Sequence, residues 1–230
     1  MDITQARILY EDNHLIAINK LSSDIVQSDE TGDEPLVEKV KSFIKERDKK
    51  PGNVFVEVIH RIDRPVSGAV LMAKTSKGLS RMNELFRDGK VKKLYWAIVG
   101  KMPEKQTDTL KHYILRNTKK NRSFAYDSPK VDAKEATLTY RLVGNSDRYF
   151  FLEIDLHTGR HHQIRAQLSI IGNPIKGDLK YGAPRSNPGG GISLHSRSLK
   201  FSHPVTNENI EIVAPPPSDS LWQVFEKANS

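Results

Sequence analysis

The sequence predicts a mixed α/β fold, in which helices flank a largely antiparallel central sheet. Short runs of β-branched and apolar residues outnumber the helical stretches. Several of these runs follow one another without an intervening helix, which favours antiparallel pairing. The sequence contains no internal repeat, low-complexity tract or linker, so we expect residues 1–230 to form a single domain.

The first predicted elements are two strands and a helix. Residues 8–10 and 14–19 are apolar runs on either side of a polar turn, which predicts two short strands. Asp33 is a candidate helix cap, because Pro35 would fall in the first turn and apolar residues then recur at helical spacing.

The middle of the chain alternates strands with one helix. Residues 54–59 (VFVEVI) are short, β-branched and apolar, which predicts an interior strand, and residues 68–74 predict a second strand. Residues 76–88 carry an apolar stripe at helical spacing, with Gly89 placed to end the helix. Residues 91–99 alternate with a period of two and predict a further strand.

From residue 123 onward the sequence predicts mainly strands. Residues 160–171 form a predicted helix that Gly172 ends, residues 185–191 a mobile loop, and residues 219–227 a terminal helix. The remaining predicted strands are residues 123–126, 134–143, 149–156, 193–201 and 209–213.

Composition favours a polyanionic partner. The formal net charge is +8, and four acids against one lysine after residue 200 concentrate the positive charge in residues 1–200. Residues 111–122 contain five bases and no acid, which suits either a phosphate-binding loop or strand end or a solvated surface. The absence of cysteine excludes disulfides and thiolate zinc sites, and no signal peptide or membrane-spanning run is present. We expect a soluble, cytoplasmic protein.

Common catalytic templates are missing from the sequence. It has no GxxxxGK[ST], GxGxxG, HExxH or GxSxG motif, which removes the usual signatures of nucleotide hydrolysis, dinucleotide redox, zincin and α/β-hydrolase chemistry. His157, His161 and His162 are the nearest metal candidates, but Gly159 argues against a helix that would align the first two. We therefore expect no metal.

Asp63 is the first candidate for chemistry. It follows a predicted strand in the stretch HRIDRPVSG, and Pro65 excludes helical geometry at Arg64, so Asp63 would sit on a loop at a strand end. An extended chain would point Arg61 and Asp63 to the same side. The ordinary alternative is a turn aspartate held by Arg61 or Arg64, and a hydrolase using Asp63 with His60 is a third interpretation.

Two further residues stand out in the sequence. Arg165 lies beside the apolar stripe of its predicted helix, so its guanidinium could be partly buried and would then need a carboxylate; a surface arginine is an equal alternative. Tyr95 shares a strand face with Lys93, where a ring beside a cation could stack a base, although a core tyrosine is the commoner case.

Taken together, these stretches resemble the pseudouridine synthases of the RluA type. The resemblance spans nearly the whole chain, from about residue 8 to residue 213, and its blocks occur in the order of that family. They read ILYEDNHLIAINK, HRIDRPVSGAVLMAKTSKG, KKLYWAIVG, LHTGRHHQIRAQLSIIGNPIKGDLKYG and LHSRSLKFSHPVT. The resemblance implies the pseudouridine synthase fold.

The resemblance also implies a role for each candidate residue. Asp63 falls on the catalytic aspartate and Arg61 on the arginine that enters the RNA stack as the target uridine leaves. Tyr95 falls on the tyrosine that packs on the flipped uracil, Arg165 on the basic residue that pairs with the aspartate, and Leu194 on an apolar pocket residue. The chain departs from the family by reading LSSD after Lys20, where a Pro and a Gly are usual.

The expected function is isomerisation of specific uridines in structured RNA, either rRNA or tRNA, to pseudouridine, with Asp63 acting as nucleophile or as base. We expect a monomer that needs no metal or nucleotide cofactor. Many relatives begin with an S4-type RNA-binding domain, whereas this chain is expected to consist of the catalytic domain. A catalytically silent RNA-binding or ribosome-assembly factor on the same fold is the alternative.

Overall fold

A computed structural model describes residues 3–28 and 32–228 of the chain. These residues fall into two compact units, which we call unit 1 (Met1–Val91 and Ser196–Pro215) and unit 2 (Lys92–His195 and Pro216–Ser230). The domain predicted over residues 1–230 includes residues 1, 2, 29–31, 229 and 230, which lie outside the described part. No helix of that described part is long and apolar enough to cross a membrane.

The described residues form eleven strands and four α-helices, together with short 3₁₀ turns. In chain order the elements are β1 (Ile8–Glu11), β2 (Leu15–Lys20), α1 (Leu36–Arg47), β3 (Glu57–Val58), β4 (Ser67–Ala73), α2 (Ser76–Arg87), β5 (Lys92–Val99), β6 (Thr107–Asn117), β7 (Arg122–Tyr126), β8 (Lys134–Asn145), β9 (Phe150–Leu156), α3 (Gln163–Ile170), β10 (Leu194–Ser202), β11 (Asn209–Val213) and α4 (Ser220–Ala228).

Unit 1 is a sheet in the order β1, β2, β4 and β10, with β11 pairing with β10 and β3 pairing with β4. The pairs β1/β2, β2/β4, β3/β4 and β10/β11 are antiparallel. Every residue of β4 and all but one residue of β2 are buried, which is typical of strands covered on both faces. Met82 of α2 packs into the same apolar core as Leu15 and Leu71.

Gly68 fixes how closely β4 and β10 approach. Its φ is +112°, and a Cβ atom added there would lie 2.3 Å from the Ser196 carbonyl oxygen, so only glycine fits.

In unit 1, the start of α1 differs from its predicted cap, and the end of α2 agrees with its predicted terminating glycine. The residue at the N-cap of α1 is Pro35, with no side-chain cap, and Asp33 instead contacts Arg64. In α2, the Thr75 hydroxyl accepts a hydrogen bond from the Gly78 N–H at 3.1 Å. Gly89 ends α2 with φ +68°, as predicted.

The interior strand predicted at residues 54–59 is wrong. Only Glu57 and Val58 pair, and they do so with the last two residues of β4. Phe55 is 42% exposed and Glu57 is exposed as well, so this segment is not covered on both faces. A β-branched, apolar composition indicates a fit to a pleated surface, but it does not supply a partner strand.

Unit 2 is an antiparallel sheet in the order β5, β9, β8, β6 and β7. Trp96 and Ile98 of β5 pack with Phe151 of β9 and with Trp222 and Phe225 of α4. The sheet of each unit is antiparallel in these pairings and helices pack against it, which confirms the predicted mixed α/β class.

Strand β6 was not predicted from the sequence, although the interpretation of residues 111–122 as a loop or a strand end fits the end of this strand and the turn after it. Residues 107–117 form a strand of 11 residues, in which buried Leu110, His112 and Ile114 alternate with more exposed residues. Of the five bases at residues 111–122, Lys111 and Arg116 lie on this strand, Lys119 and Lys120 lie in the turn that follows, and Arg122 begins β7.

The other helices of unit 2 lie close to their predicted positions. α3 begins at Gln163, three residues later than predicted, because His162 adopts a left-handed backbone conformation with φ +53°. Gly172 follows α3 with φ +76°, as predicted for its stop. α4 spans nearly the predicted residues, and the Asp219 carboxylate accepts hydrogen bonds from the N–H groups of Leu221 and Trp222 at its start.

Candidate active site

Asp63 lies on a loop between β3 and β4 of unit 1. Its carbonyl oxygen accepts a hydrogen bond from the Val66 N–H at 3.0 Å, which closes a tight turn just before β4. Ile62 and Val66 are buried on either side of the turn, whereas Asp63 is half-buried and Arg61 is exposed. The loop backbone is therefore anchored by apolar side chains, while Asp63 stays partly exposed.

A buried lysine holds this loop from within unit 1. Lys20, the last residue of β2, is fully buried, and its Nζ donates to the carbonyl oxygens of Leu21 at 2.8 Å and Arg64 at 2.9 Å. Burial lowers the pKa of Lys20 from 10.5 to about 7, against the opposing attraction of Asp24 and Asp63. Lys20 thus joins β2 to the Asp63 loop through a hydrogen bond and through charge.

The LSSD stretch, where the sequence departs from the resembled family, is closed by Asp24. The Asp24 N–H donates to the Leu21 carbonyl at 3.1 Å, and the Leu21 N–H donates to the Asp24 carboxylate at 3.1 Å. Arg7 forms a short ion pair with the same carboxylate, and Lys39 lies 3.8 Å from it. A buried, multiply bonded aspartate therefore defines this loop where the family has Pro and Gly.

Arg64, next to Asp63, points toward an exposed acid. Its Nη2 lies 2.5 Å from the Asp33 carboxylate, and both side chains are well exposed, at 42% and 55%. Exposed pairs of this kind contribute about 0–1 kcal/mol, so this contact orients Arg64 more than it stabilises the fold.

Tyr95 lies on β5 in unit 2, on the strand face opposite Trp96 and Ile98. Its side chain is 6% exposed, so the ring is held in place by packing. Lys93 shares this face and is partly buried, and its pKa is lowered by burial and by the nearby positive charge of Arg160. An aromatic ring and cations thus occur on one side of the strand, as the sequence predicted.

Arg165 is buried in α3 and has a carboxylate partner, as expected of a buried arginine. Its Nε donates to one oxygen of Asp178 at 2.7 Å and its Nη2 to the other at 2.9 Å, a two-pronged pair in which both side chains are almost completely buried. The guanidinium carbon also lies 5.0 Å from the centroid of the Tyr181 ring. Asp178 was not among the candidate residues predicted from the sequence, although it lies in the stretch GDLKYG, directly after Gly177.

Tyr181 links α3 to β7. Its hydroxyl accepts a hydrogen bond from the Ser123 N–H at 2.8 Å and lies 2.9 Å from His162 Nδ1. Burial, with the positive charge of Arg165 next, holds the pKa of His162 far below its usual range, so this imidazole is neutral at physiological pH. His162 is therefore a structural hydrogen-bonding group and unsuited to proton transfer near pH 7.

The remaining histidines of this region do not gather around a metal position. The His161 ring stacks on His162 at 3.8 Å between centroids and lies 2.8 Å from the Ser123 hydroxyl, while His157 contacts Thr139. Within residues 3–28 and 32–228, no group of three or more His, Asp or Glu side chains is placed to hold a metal ion.

Arg122 carries a positive charge held by aromatic rings. Its guanidinium carbon lies 5.2 Å from the Phe124 ring centroid and 5.0 Å from that of Tyr181. Its buried Nε has no hydrogen-bond partner among the described residues. The basic stretch at residues 111–122 thus ends in a cation that no carboxylate of the described chain binds.

The predicted site residues divide between the two units. Asp63 and Arg61 belong to unit 1, whereas Tyr95, Arg165 and Leu194 belong to unit 2. Leu194 begins β10 and is 3% exposed, and its N–H donates to the Ile192 carbonyl at 2.8 Å.

Comparison with known proteins identifies the family. A family model described as RNA pseudouridylate synthase matches residues 14–170, which is more than half of the chain. The chain belongs to the RNA pseudouridylate synthase family. The matched segment contains Lys20, Asp63, Tyr95 and Arg165, while Asp178 and Leu194 lie beyond it.

Several proteins are similar to this chain along most of its length. A ribosomal large subunit pseudouridine synthase C of Buchnera aphidicola is 31% identical, over 90% of this chain and 66% of the relative. An uncharacterized RNA pseudouridine synthase of Bacillus subtilis is 32% identical, over 92% of this chain and 73% of the relative. A tRNA pseudouridine synthase C of Pectobacterium carotovorum is 29% identical, over 96% and 61%. The chain thus spans less than two thirds of the length of the Buchnera and Pectobacterium relatives.

A solved structure has the same fold as this chain. Human RNA pseudouridylate synthase domain containing 4 superposes with a TM-score of 0.77 over 97% of this chain and 91% of the human one, at 22% identity. The fold predicted by the sequence resemblance is confirmed.

Proposed function

We propose that the chain converts uridine in structured RNA to pseudouridine, with Asp63 as its catalytic residue. The family match over residues 14–170, which include Asp63, carries the proposal. Relatives named as ribosomal large subunit and tRNA synthases support rRNA or tRNA as the substrate class. We further propose that both units belong to one catalytic domain, which acts in the cytoplasm as a monomer without a metal or nucleotide cofactor.

The reaction is an isomerisation of the glycosidic bond. The C1′–N1 bond breaks, the uracil turns, and C1′ bonds to C5; C5 loses a proton and N1 gains one, so the step consumes no water and no electrons. A carboxylate serves this reaction as nucleophile or as base at the ribose. Asp63 suits both roles, because its loop is held by buried Ile62 and by the Lys20 hydrogen bond to the next carbonyl group.

The target base has to leave its stack to reach a carboxylate, which costs a few kcal/mol. Exposed Arg61, two residues before Asp63, would fill the vacated position in the RNA. Tyr95 would hold the flipped uracil, and stacking on an aromatic ring contributes about 1–3 kcal/mol. The ring of Tyr95 is already fixed by burial, so binding orders little additional side-chain freedom. Leu194 would add an apolar contact to the base.

Arg165 would act through its charge and geometry. The Asp178 carboxylate fixes the plane of its guanidinium with two hydrogen bonds, which keeps the orientation constant in the absence of RNA. A lysine at position 165 would keep the charge but lose this planar geometry, so Arg165→Lys should reduce turnover.

The decisive experiment compares wild type with Asp63→Asn on RNA that carries tritium at C5 of uridine. Each isomerisation releases the C5 proton, so wild type releases tritium and Asp63→Asn does not, while its affinity for RNA is retained. Asp88→Asn, an exposed aspartate of unit 1, is the matched control and should keep full turnover.

Other outcomes would replace the proposal. Full turnover by Asp63→Asn would remove Asp63 from the chemistry. RNA binding by wild type without tritium release would favour the silent RNA-binding factor, and release of free uracil would indicate a hydrolase. Mapping pseudouridine in RNA from cells with and without the protein would identify the target position.

A further inference from the structure

Unit 2 contains a cavity of about 370 Å³ that is lined by residues other than those assigned roles above. Three segments form its walls. The turn after β5 contributes Lys101, and Tyr149 lies directly before β9. The segment after α3 contributes Lys176, Arg185 and Asn187. A volume of this size falls within the range of small-molecule sites, about 300–1,000 Å³.

The lining of the cavity is strongly positive. Lys101, Lys176 and Arg185 contribute three cations, and no acid occurs among the described residues that line it. The Lys176 Nζ lies 5.6 Å from the centroid of the Tyr149 ring. An aromatic ring flanked by uncompensated cations is suited to a ligand that combines a planar base with a phosphate.

The cavity is built by specific contacts and is therefore preformed. The Lys176 Nζ donates to the Asn187 side-chain oxygen at 2.5 Å, and its backbone N–H donates to the Ile98 carbonyl at 2.8 Å. The Asn173 amide donates to the Lys101 carbonyl at 2.7 Å. Gly177 has φ +89° and lies so close to Asn187 that a Cβ atom would be 2.6 Å from the amide carbon.

We propose that this cavity binds a second, unpaired nucleotide of the substrate RNA, one that is not the uridine undergoing isomerisation. The base lies against Tyr149, and Lys101 and Arg185 bind its phosphate, while Lys176 holds the ring and the Asn187 loop in place. The proposal rests on the proposed function, because it takes RNA as the substrate. It adds a contact through which the enzyme selects an RNA whose fold presents a second unpaired nucleotide in addition to the target uridine.

The test measures RNA binding separately from chemistry, in the Asp63→Asn background, with a short fluorescein-labelled single-stranded oligouridylate as the probe. Tyr149→Leu keeps apolar bulk but removes the stacking surface, and we expect about tenfold weaker binding. Tyr149→Phe keeps the ring and should bind as the parent does. The double variant Lys101→Gln/Arg185→Gln should lower the slope of log K against log salt concentration by about 0.7, because the contact with one phosphate is lost.

A charge-matched control separates a site from general attraction. Lys105→Gln/Lys200→Gln removes the same formal charge from exposed lysines that pair with Asp108 and Glu211, and it should leave the affinity nearly unchanged. Equal weakening by both double variants would overturn the proposal. Unchanged binding by Tyr149→Leu would overturn it as well.

A second measurement identifies the chemical class of the ligand. Uridine 5′-monophosphate should shift the proton resonances of the Tyr149 ring, whereas inorganic phosphate should leave them in place. Equal shifts with the two ligands would show that the cavity binds anions in general and would refute the proposal of a nucleotide site. If wild type does not isomerise uridine but the Tyr149→Leu and Lys101→Gln/Arg185→Gln variants still bind RNA more weakly, the proposed function is refuted and the nucleotide site is not.

Discussion

Lys20 makes the stability of the protein depend on pH in a defined window. The lysine is fully buried, and its pKa falls from 10.5 to about 7. Between these two values the unfolded chain binds the lysine proton and the folded chain does not, so the free energy of unfolding rises with pH. Each pH unit in the window adds up to about 1.4 kcal/mol, and the whole range corresponds to about 3–5 kcal/mol. Below about pH 7 both states hold the proton, and this contribution no longer changes.

The perturbation that isolates this effect is Lys20→Met, which keeps the length of the side chain and removes its charge. Urea unfolding followed by circular dichroism at pH 6.5, 8 and 9 should give wild type a gain of about 2–3 kcal/mol across the series that Lys20→Met lacks. The variant also loses the hydrogen bonds to the carbonyl groups of Leu21 and Arg64, but that loss is the same at each pH. Lys200→Met, at an exposed lysine, is the control and should follow wild type. Parallel pH dependences of wild type and Lys20→Met would refute the reasoning.

Three further substitutions test the packing described above, each by urea unfolding. Asp178→Ala should lower the free energy of unfolding by about 3–5 kcal/mol, because it leaves the buried Arg165 guanidinium without this carboxylate; a loss below about 1 kcal/mol would contradict a strong ion pair. Gly68→Ala should cost about 2–4 kcal/mol, since the added Cβ would lie 2.3 Å from the backbone of β10 at a positive φ; Gly182→Ala, also at positive φ but in open space, should cost less. Phe225→Ala should lower the free energy of unfolding by about 3–5 kcal/mol, because it leaves a cavity where α4 packs on Trp96 and Phe151; an unchanged urea midpoint would contradict this packing.

The strands that the sequence predicted well are short runs of mainly apolar residues. β5 and β9 are such runs, and both lie close to their predicted bounds; the last five residues of β5 are all buried. β6 alternates between buried and more exposed residues, but it was missed because its last residues were read together with the following turn as one basic block. The reverse error occurred at residues 54–59, where strand-forming composition was present and a partner strand was available for two residues only.

The catalytic candidates could be chosen from sequence because their blocks resemble a family, whereas the groups that hold them could not. Lys20 bonds the carbonyl of Arg64, 44 residues away, and Arg165 bonds Asp178 across a loop. Burial of a charged side chain depends on such tertiary partners, which local periodicity does not encode. A lysine closing an apolar strand and an aspartate directly after a glycine were the available signals for Lys20 and Asp178.

Arg122 and Arg165 differ in how far their charges reach. The field of Arg165 is largely cancelled at a distance by the adjoining Asp178 carboxylate. The rings of Phe124 and Tyr181 attract the Arg122 guanidinium through their quadrupoles. Because an aromatic ring carries no net charge, it does not cancel the charge of the arginine at long range. An approaching polyanion meets an oriented positive charge without first displacing an internal acid. The fold thereby gives one of these two cations an internal carboxylate and leaves the charge of the other to act on an approaching polyanion.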